Sequence, residues 1–138
     1  MQEPTVVRLD EIQKVPFGPN AYYQLILGDD EGSMPIRTGI QTSEPGYQAQ
    51  MHSHPYIEIL HVLEGTAEAW ADGCEDRKVT LRKGDTIALP PNVAHTFRVV
   101  GNETLRTFGT HVSPKRIVQY KDGAKTDGQG YRVLDTAR

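Results

Sequence analysis

Three histidines and one glutamate, His52, His54, Glu58 and His95, are the residues of this chain whose types and spacing can do chemistry together. His52, His54 and Glu58 differ by even numbers. A β-strand turns successive side chains to opposite faces, so all three can look the same way. His95 lies far along the chain, behind the turn Gly84-Asp85 and the prolines Pro90 and Pro91, and must come from another strand facing the same cavity. Three imidazoles and a carboxylate are a ligand set for one divalent transition metal ion, and Fe, Mn, Ni and Zn all accept it.

Positioning such a set takes strands, and the apolar pattern supplies them. Segments 22–27, 57–63, 66–71, 78–81, 86–89, 95–100 and 105–108 read as short strands. Clusters of Gly, Pro, Asn and Asp part them, among them Glu44-Pro45-Gly46, Glu64-Gly65, Lys83-Gly84-Asp85 and Pro90-Pro91-Asn92. Asn102-Glu103-Thr104 reads as a hairpin loop. Many short strands at spacings of about ten residues, with almost no helical periodicity, predict an antiparallel sandwich or barrel. One helix signal remains. Ser113 as an N-cap and Pro114 at the first helical position predict a short C-terminal helix of one or two turns through Val118. The polar segment from about 119 to 138 is expected to be an exposed arm. With no repeat and no break in composition, residues 1–138 read as one domain.

A chain of 138 residues can bury roughly two-thirds of its unfolded surface without disulfide or metal staples. Its 15 basic and 18 acidic residues are mixed along the sequence, so no basic footprint for nucleic acid exists. The first fourteen residues lack the apolar core of a secretory signal, and no apolar run is long enough to span a membrane. Cys74, the only cysteine, sits among acidic residues in a turn-like segment and reads as an incidental surface thiol. It has no internal partner, which suits a cytoplasmic protein.

Set beside the turn residues, the quartet resembles the motifs of the cupins. Gly46-x5-His52-x-His54-x3-Glu58-x6-Gly65 is similar to the first cupin motif at every defined position, and Gly84-x5-Pro90 followed by His95 to most of the second. Asn92 stands where a glycine is usual and Val99 where an asparagine is usual. Asn tolerates the same left-handed turn conformation, and Val99 extends an apolar strand. The motifs span 46–99. The resemblance implies an all-β double-stranded β-helix, a jelly-roll barrel of the RmlC-like kind, with a metal in its mouth held by His52, His54, Glu58 and His95. Four such groups left unpaired in an apolar barrel would cost several kcal/mol, and one divalent cation satisfies them all. Four protein ligands leave one or two positions open, as in catalytic rather than structural sites. Small cupins commonly pair, and the outer-face residues Ile57, Ile59 and Leu63 fit a homodimer.

The remaining candidates follow from strand parity. His61 is odd relative to Glu58 and should face outward, away from the metal. His111 follows Leu105, Thr107 and Gly109 at two-residue spacing. It reads either as an acid or base beside a substrate or as a satisfied histidine near a strand end. Phe97 and Val99 share parity with His95, and Leu60 and Val62 with Glu58, so these should wall the metal with apolar surface. Arg37 and Gln41 share a face of the strand before the first motif. They are candidates to hold a carboxylate or carbonyl, and Arg37 reads equally as a solvated surface residue. Tyr47 and Tyr56 flank the histidines and could line the entrance or donate a hydrogen bond.

Three functions are compatible with this set. The first is a metal-dependent enzyme on a small organic acid, ketone or phenol, with dioxygenase-like oxidoreductase chemistry for a redox metal. For a non-redox ion it would be isomerase, lyase or decarboxylase chemistry. The second is a non-catalytic small-ligand-binding cupin. The third, a DNA-linked regulator, ranks last because the sequence has no helix-turn-helix pattern.

Overall fold

The computed structural model of the chain describes residues 3–126. Eleven strands run β1 Val15–Pro16, β2 Ala21–Leu27, β3 Arg37–Ser43, β4 His52–Ser53, β5 Glu58–Glu64, β6 Thr66–Ala71, β7 Val79–Arg82, β8 Thr86–Leu89, β9 His95–Val100, β10 Leu105–His111 and β11 Gln119–Tyr120. They form two sheets of antiparallel neighbours, ordered β1-β2-β3-β10-β5-β8 and β11-β4-β9-β6-β7. This is the jelly-roll barrel that the strand pattern and motifs led us to expect. Among the described residues the only helical turn is the 3-10 stretch Leu9–Glu11, and no helix is long and apolar enough to cross a membrane.

The inward faces explain how such strands build a site. Each is apolar at one end of the barrel and polar at the other: Val62, Leu60 and Glu58 on β5, Val99, Phe97 and His95 on β9, and Leu105, Thr107, Gly109 and His111 on β10. At the apolar end Val62, Ala67, Ala69, Leu81, Val99 and Leu105 pack into one core. Period-2 alternation carries that filled core up to a polar mouth without changing face. On the outer face of β5, His61 bonds Thr86 Oγ1 at 2.8 Å, while Ile59 and Leu63 are half-buried.

Two turns fix the register of the motifs. Gly65 takes φ +83° between β5 and β6, and a Cβ there would sit 2.5 Å from the Thr104 carbonyl oxygen. Only glycine fits. Asn92 takes φ +64°, the left-handed conformation an asparagine tolerates, and its N–H donates to the His54 carbonyl at 2.7 Å. That bond ties the turn before His95 to the backbone of His54, just after β4.

Two expectations fail. Residues 101–104 are not a hairpin loop, because β9 and β10 lie in different sheets and the segment crosses between them. The short C-terminal helix from Ser113 is absent: the Ser113 hydroxyl bonds both the N–H and the carbonyl of Lys115, and 113–118 is an irregular strap. Its backbone groups are held by side chains instead. Arg37 Nη1 donates to the Pro114 carbonyl, His54 Nδ1 to the Ile117 carbonyl, and the Ile117 N–H to the Tyr56 hydroxyl. These long-range bonds replace the helical ladder. Of the expected exposed arm, Gln119–Tyr120 pairs with β4, and residues beyond 126 lie outside the described structure.

Gly39 and Gly109 face each other across β3 and β10. A Cβ on Gly39 would sit 2.6 Å from the Gln24 carbonyl oxygen and run into the Tyr23 phenol lying across it. Gly39→Ala should therefore destabilise the fold by about 1–3 kcal/mol, lowering the melting temperature by roughly 4–12 °C. An unchanged melting temperature would refute this packing.

Candidate metal centre

Both sheets contribute to the polar mouth. His52 lies on β4, His54 just after it and His95 at the start of β9, while Glu58 opens β5 in the opposite sheet. His52 and His95 are register partners. One donor atom from each of the four residues lies within 4.8 Å of the others. His54, Glu58 and His95 are buried, and His52 is half-buried.

Backbone carbonyls orient the three rings. His52 Nδ1 bonds Gln50 O at 2.6 Å, His54 Nδ1 bonds Ile117 O at 2.7 Å, and His95 Nδ1 bonds Val93 O at 3.0 Å. A carbonyl only accepts, so each Nδ1 carries the hydrogen and each Nε2 is left as the free donor atom. His54 Nε2 and His95 Nε2 then face one carboxylate oxygen, Glu58 Oε1, at 2.9 and 3.3 Å. All three atoms are buried, and none makes a hydrogen bond, because a neutral ring has no second proton to place between them. A proton on one ring would relieve one contact. A divalent ion relieves them all, and donors about 2.1 Å from an ion stand roughly 3 Å apart when adjacent. The donor set fits such an ion.

Behind Glu58 runs a directed chain of hydrogen bonds. Arg37, His111 and Glu58 form one row across β3, β10 and β5. His111 Nε2 lies 3.3 Å from Glu58 Oε2, and its Nδ1 lies 2.6 Å from the Tyr56 hydroxyl. The Glu58 carboxylate only accepts, so His111 donates to it through Nε2, and Nδ1 of the neutral ring accepts from the Tyr56 hydroxyl. Both His111 nitrogens are thus engaged. Tyr56 stacks on His54 behind the site, its ring 5.0 Å away, whereas Tyr47 lines the cavity. Arg37 is 6% exposed, so the solvated-surface reading is overturned; its Nη1 bonds Asp30 as well as the strap.

The electrostatics follow from this burial. Burial raises the Glu58 pKa, the hydrogen bond from His111 lowers it, and the carboxyl stays well below its usual range. Burial, then the neighbouring His95 and His54, pushes His52 down to about 3. Burial also lowers His111, with Glu58 opposing, and raises the Tyr56 phenol to about 12.

The ligands open into a cavity of about 80 Å³. Leu60 and Phe97 form walls as expected, joined by Thr107 and Gly109, whereas Val62 and Val99, also expected there, lie in the filled core at the other end of the barrel. Sequence reasoning missed Phe17, Tyr23, Arg116 and Tyr120, which also line it. All four lie outside the motifs, and a helical reading of 113–118 hid the direction of Arg116.

A two-sheet barrel with a buried three-histidine, one-glutamate centre at its open end defines the class. A model for the cupin domain matches residues 39–111, more than half of the sequence, and the chain belongs to the cupin family. Over 77 residues, 55% of its length, it is 35% identical to the polyketide synthase CurC of Streptomyces cyaneus, covering 47% of that protein. Over 54 residues, 38% of its length, it is 37% identical to 3-hydroxyanthranilate 3,4-dioxygenase of Burkholderia lata, covering 30% of that protein. The chain thus spans less than half the length of these curated relatives. A solved cupin-like protein from Thermotoga maritima is 27% identical and superimposes with a TM-score of 0.64, over 73% of this chain and 75% of that one.

His52, His111 and Glu58 are all less protonated in the folded chain than in the unfolded one. Stability of the metal-free protein should therefore be greatest above pH 6.5 and decline as the pH falls from 6.5 towards 3. Melting temperatures across that range check this, and His52→Gln should flatten the decline. A profile with no acid slope contradicts it.

Proposed function

We propose that this chain is a metal-dependent enzyme, a dioxygenase-like oxidoreductase acting on a small organic acid, ketone or phenol. His52, His54, Glu58 and His95 hold one divalent transition ion in this reading. The observation that carries it is the triple orientation of the rings: three Nδ1–H groups spent on backbone carbonyls leave three Nε2 atoms free, and two of them, on His54 and His95, face Glu58 Oε1. The match to 3-hydroxyanthranilate 3,4-dioxygenase over 54 residues supports the choice of reaction class. A bound ion would supply Lewis acidity and, as Fe(II), redox chemistry with dioxygen.

The chain's own residues supply the rest. His111 positions Glu58 by donating to Oε2, which leaves Oε1 for the ion. Tyr56 holds His111 in the tautomer that can donate. Arg37, buried in the same row and lining the cavity, is placed to orient an acidic or carbonyl group of the substrate. Phe97 and Leu60 exclude water around its body.

Metal analysis followed by anaerobic Fe(II) reconstitution and oxygen-uptake measurements with a panel of small acids, ketones and phenols tests this reading. One equivalent of metal and substrate-dependent oxygen uptake are expected. A protein that takes up no metal, or loaded protein that consumes no oxygen with any of them, would overturn it. His95→Ala should abolish stoichiometric metal binding. His111→Gln should weaken Zn(II) affinity by about 10–100-fold in a chelator competition. Equal affinity in wild type and His111→Gln would remove His111 from its positioning role.

A further inference from the structure

Two polar side chains at the floor of the cavity take no part in the chemistry above. The inward positions of β3, β10 and β5 fall in rows. Arg37, His111 and Glu58 stand at the mouth, Gly39, Gly109 and Leu60 come next, and Gln41, Thr107 and Val62 follow. Val62 belongs to the filled core, whereas Gln41 and Thr107 line the cavity. The third row is therefore the floor on which the cavity ends, and it carries no charge.

Thr107 is the member of that row that the fold does not account for. It is 5% exposed, yet its hydroxyl makes no hydrogen bond to any described residue. Its parity with Gly109 and His111 turns it inward, so the hydroxyl faces the cavity alone. A buried hydroxyl left unmet is less favourable than a methyl of the same size, and packing gives no reason for threonine here. Gln41 beside it is held in place. Its Nε2 donates to Ser43 Oγ at 3.2 Å, and its side chain hydrogen-bonds the Tyr47 phenol. A carboxamide has two hydrogens and an acceptor oxygen, so it keeps capacity for a further partner after both contacts. Between floor and mouth, Leu60, Phe97 and Gly109 offer no polar side chain.

We propose that the cavity takes a small substrate with a second polar group, a hydroxyl or a carbonyl, on the end away from the metal ligands, and that the Thr107 hydroxyl hydrogen-bonds that group with Gln41 beside it. This rests on the cavity being the substrate site of the function proposed above. It narrows the acid, ketone and phenol classes to molecules with a neutral hydrogen-bonding group at the far end of an apolar body. One end meets Arg37 and the ligand set, the middle passes Leu60 and Phe97, and the far end meets the floor. The far group is neutral because an ion would be buried against a row with no charge to answer it.

Calorimetric titration of Zn(II)-loaded protein tests this without turnover, with benzoate against its meta- and para-hydroxy derivatives and pentanoate against its gamma-oxo derivative. At least one derivative should bind about ten-fold or more tightly than its parent. Thr107→Val should bring that derivative down to its parent's affinity, and Thr107→Ser should keep the preference. In the metal-free protein Thr107→Val should melt no lower than the wild type, because the hydroxyl holds nothing in the fold. Derivatives that bind no better than their parents, or a preference that survives Thr107→Val, overturn the proposal. So does a lower melting temperature in Thr107→Val, and so does the absence of binding by every probe at millimolar concentration. Metal content is read on the same samples. Protein that takes one equivalent of metal yet shows no preference loses this inference and keeps its proposed function. Protein that takes no metal but prefers the derivatives through Thr107 loses the metal-dependent function and keeps the floor.

Discussion

The constraint on which the rest depends is the placing of three imidazole lone pairs and one carboxylate in a buried space where no proton stands between them. Two Nε2 atoms within about a hydrogen-bond length of Glu58 Oε1 repel it unless a positive charge joins the set. The fold accepts this arrangement because the surrounding groups leave no other. The backbone carbonyls of Gln50, Ile117 and Val93 take the Nδ1 hydrogens, and His111 takes the second oxygen of Glu58. Each of these contacts removes a way for a ring or carboxylate to turn and satisfy itself. What remains is a donor set matched to a cation.

The barrel supports that set by dividing each inward strand face. Val62, Val99 and Leu105 close one end as a dry core, while Glu58, His95 and His111 emerge on the same faces at the other. Between the two zones stands the pair Gly39 and Gly109. Their missing side chains leave the volume that Tyr23 crosses and the cavity occupies. Core, space and ligands are thus successive levels of one alternation, and a one-residue slip in any of these strands would turn its ligand outward.

Much of the site was legible because it is written in local rules. Even spacing put His52, His54 and Glu58 on one side, odd spacing sent His61 outward, and the punctuation by Gly46, Gly65, Gly84 and Pro90 turned a metal-ligand set into a cupin resemblance. Phe97 and Leu60 fell on the cavity walls by the same parity. Arg37 was visible only in part, since parity placed it on a face with Gln41 but could not say that the strap would bury it. The segment 113–118 misled. Ser113-Pro114 is a sound helix start by composition, yet the carbonyls of Pro114 and Ile117 are claimed by Arg37 and His54, far away in the sequence. The loop at 101–104 misled for a related reason: turn chemistry marks a reversal without saying which sheet the next strand joins.

The sequence by itself determined the family, the strand faces and the four donor residues, because period-2 geometry and turn conformation act over a few residues and leave their mark in residue order. Only the tertiary structure decided which nitrogen of each histidine faces inward, that His111 and Tyr56 stand behind Glu58, and that Phe17, Tyr23, Arg116 and Tyr120 complete the cavity. Those outcomes depend on hydrogen bonds and packing between segments up to 77 residues apart, such as Arg37 and Pro114. Contacts of that range are set by how the two sheets close on each other, and no local pattern along the chain encodes the closure.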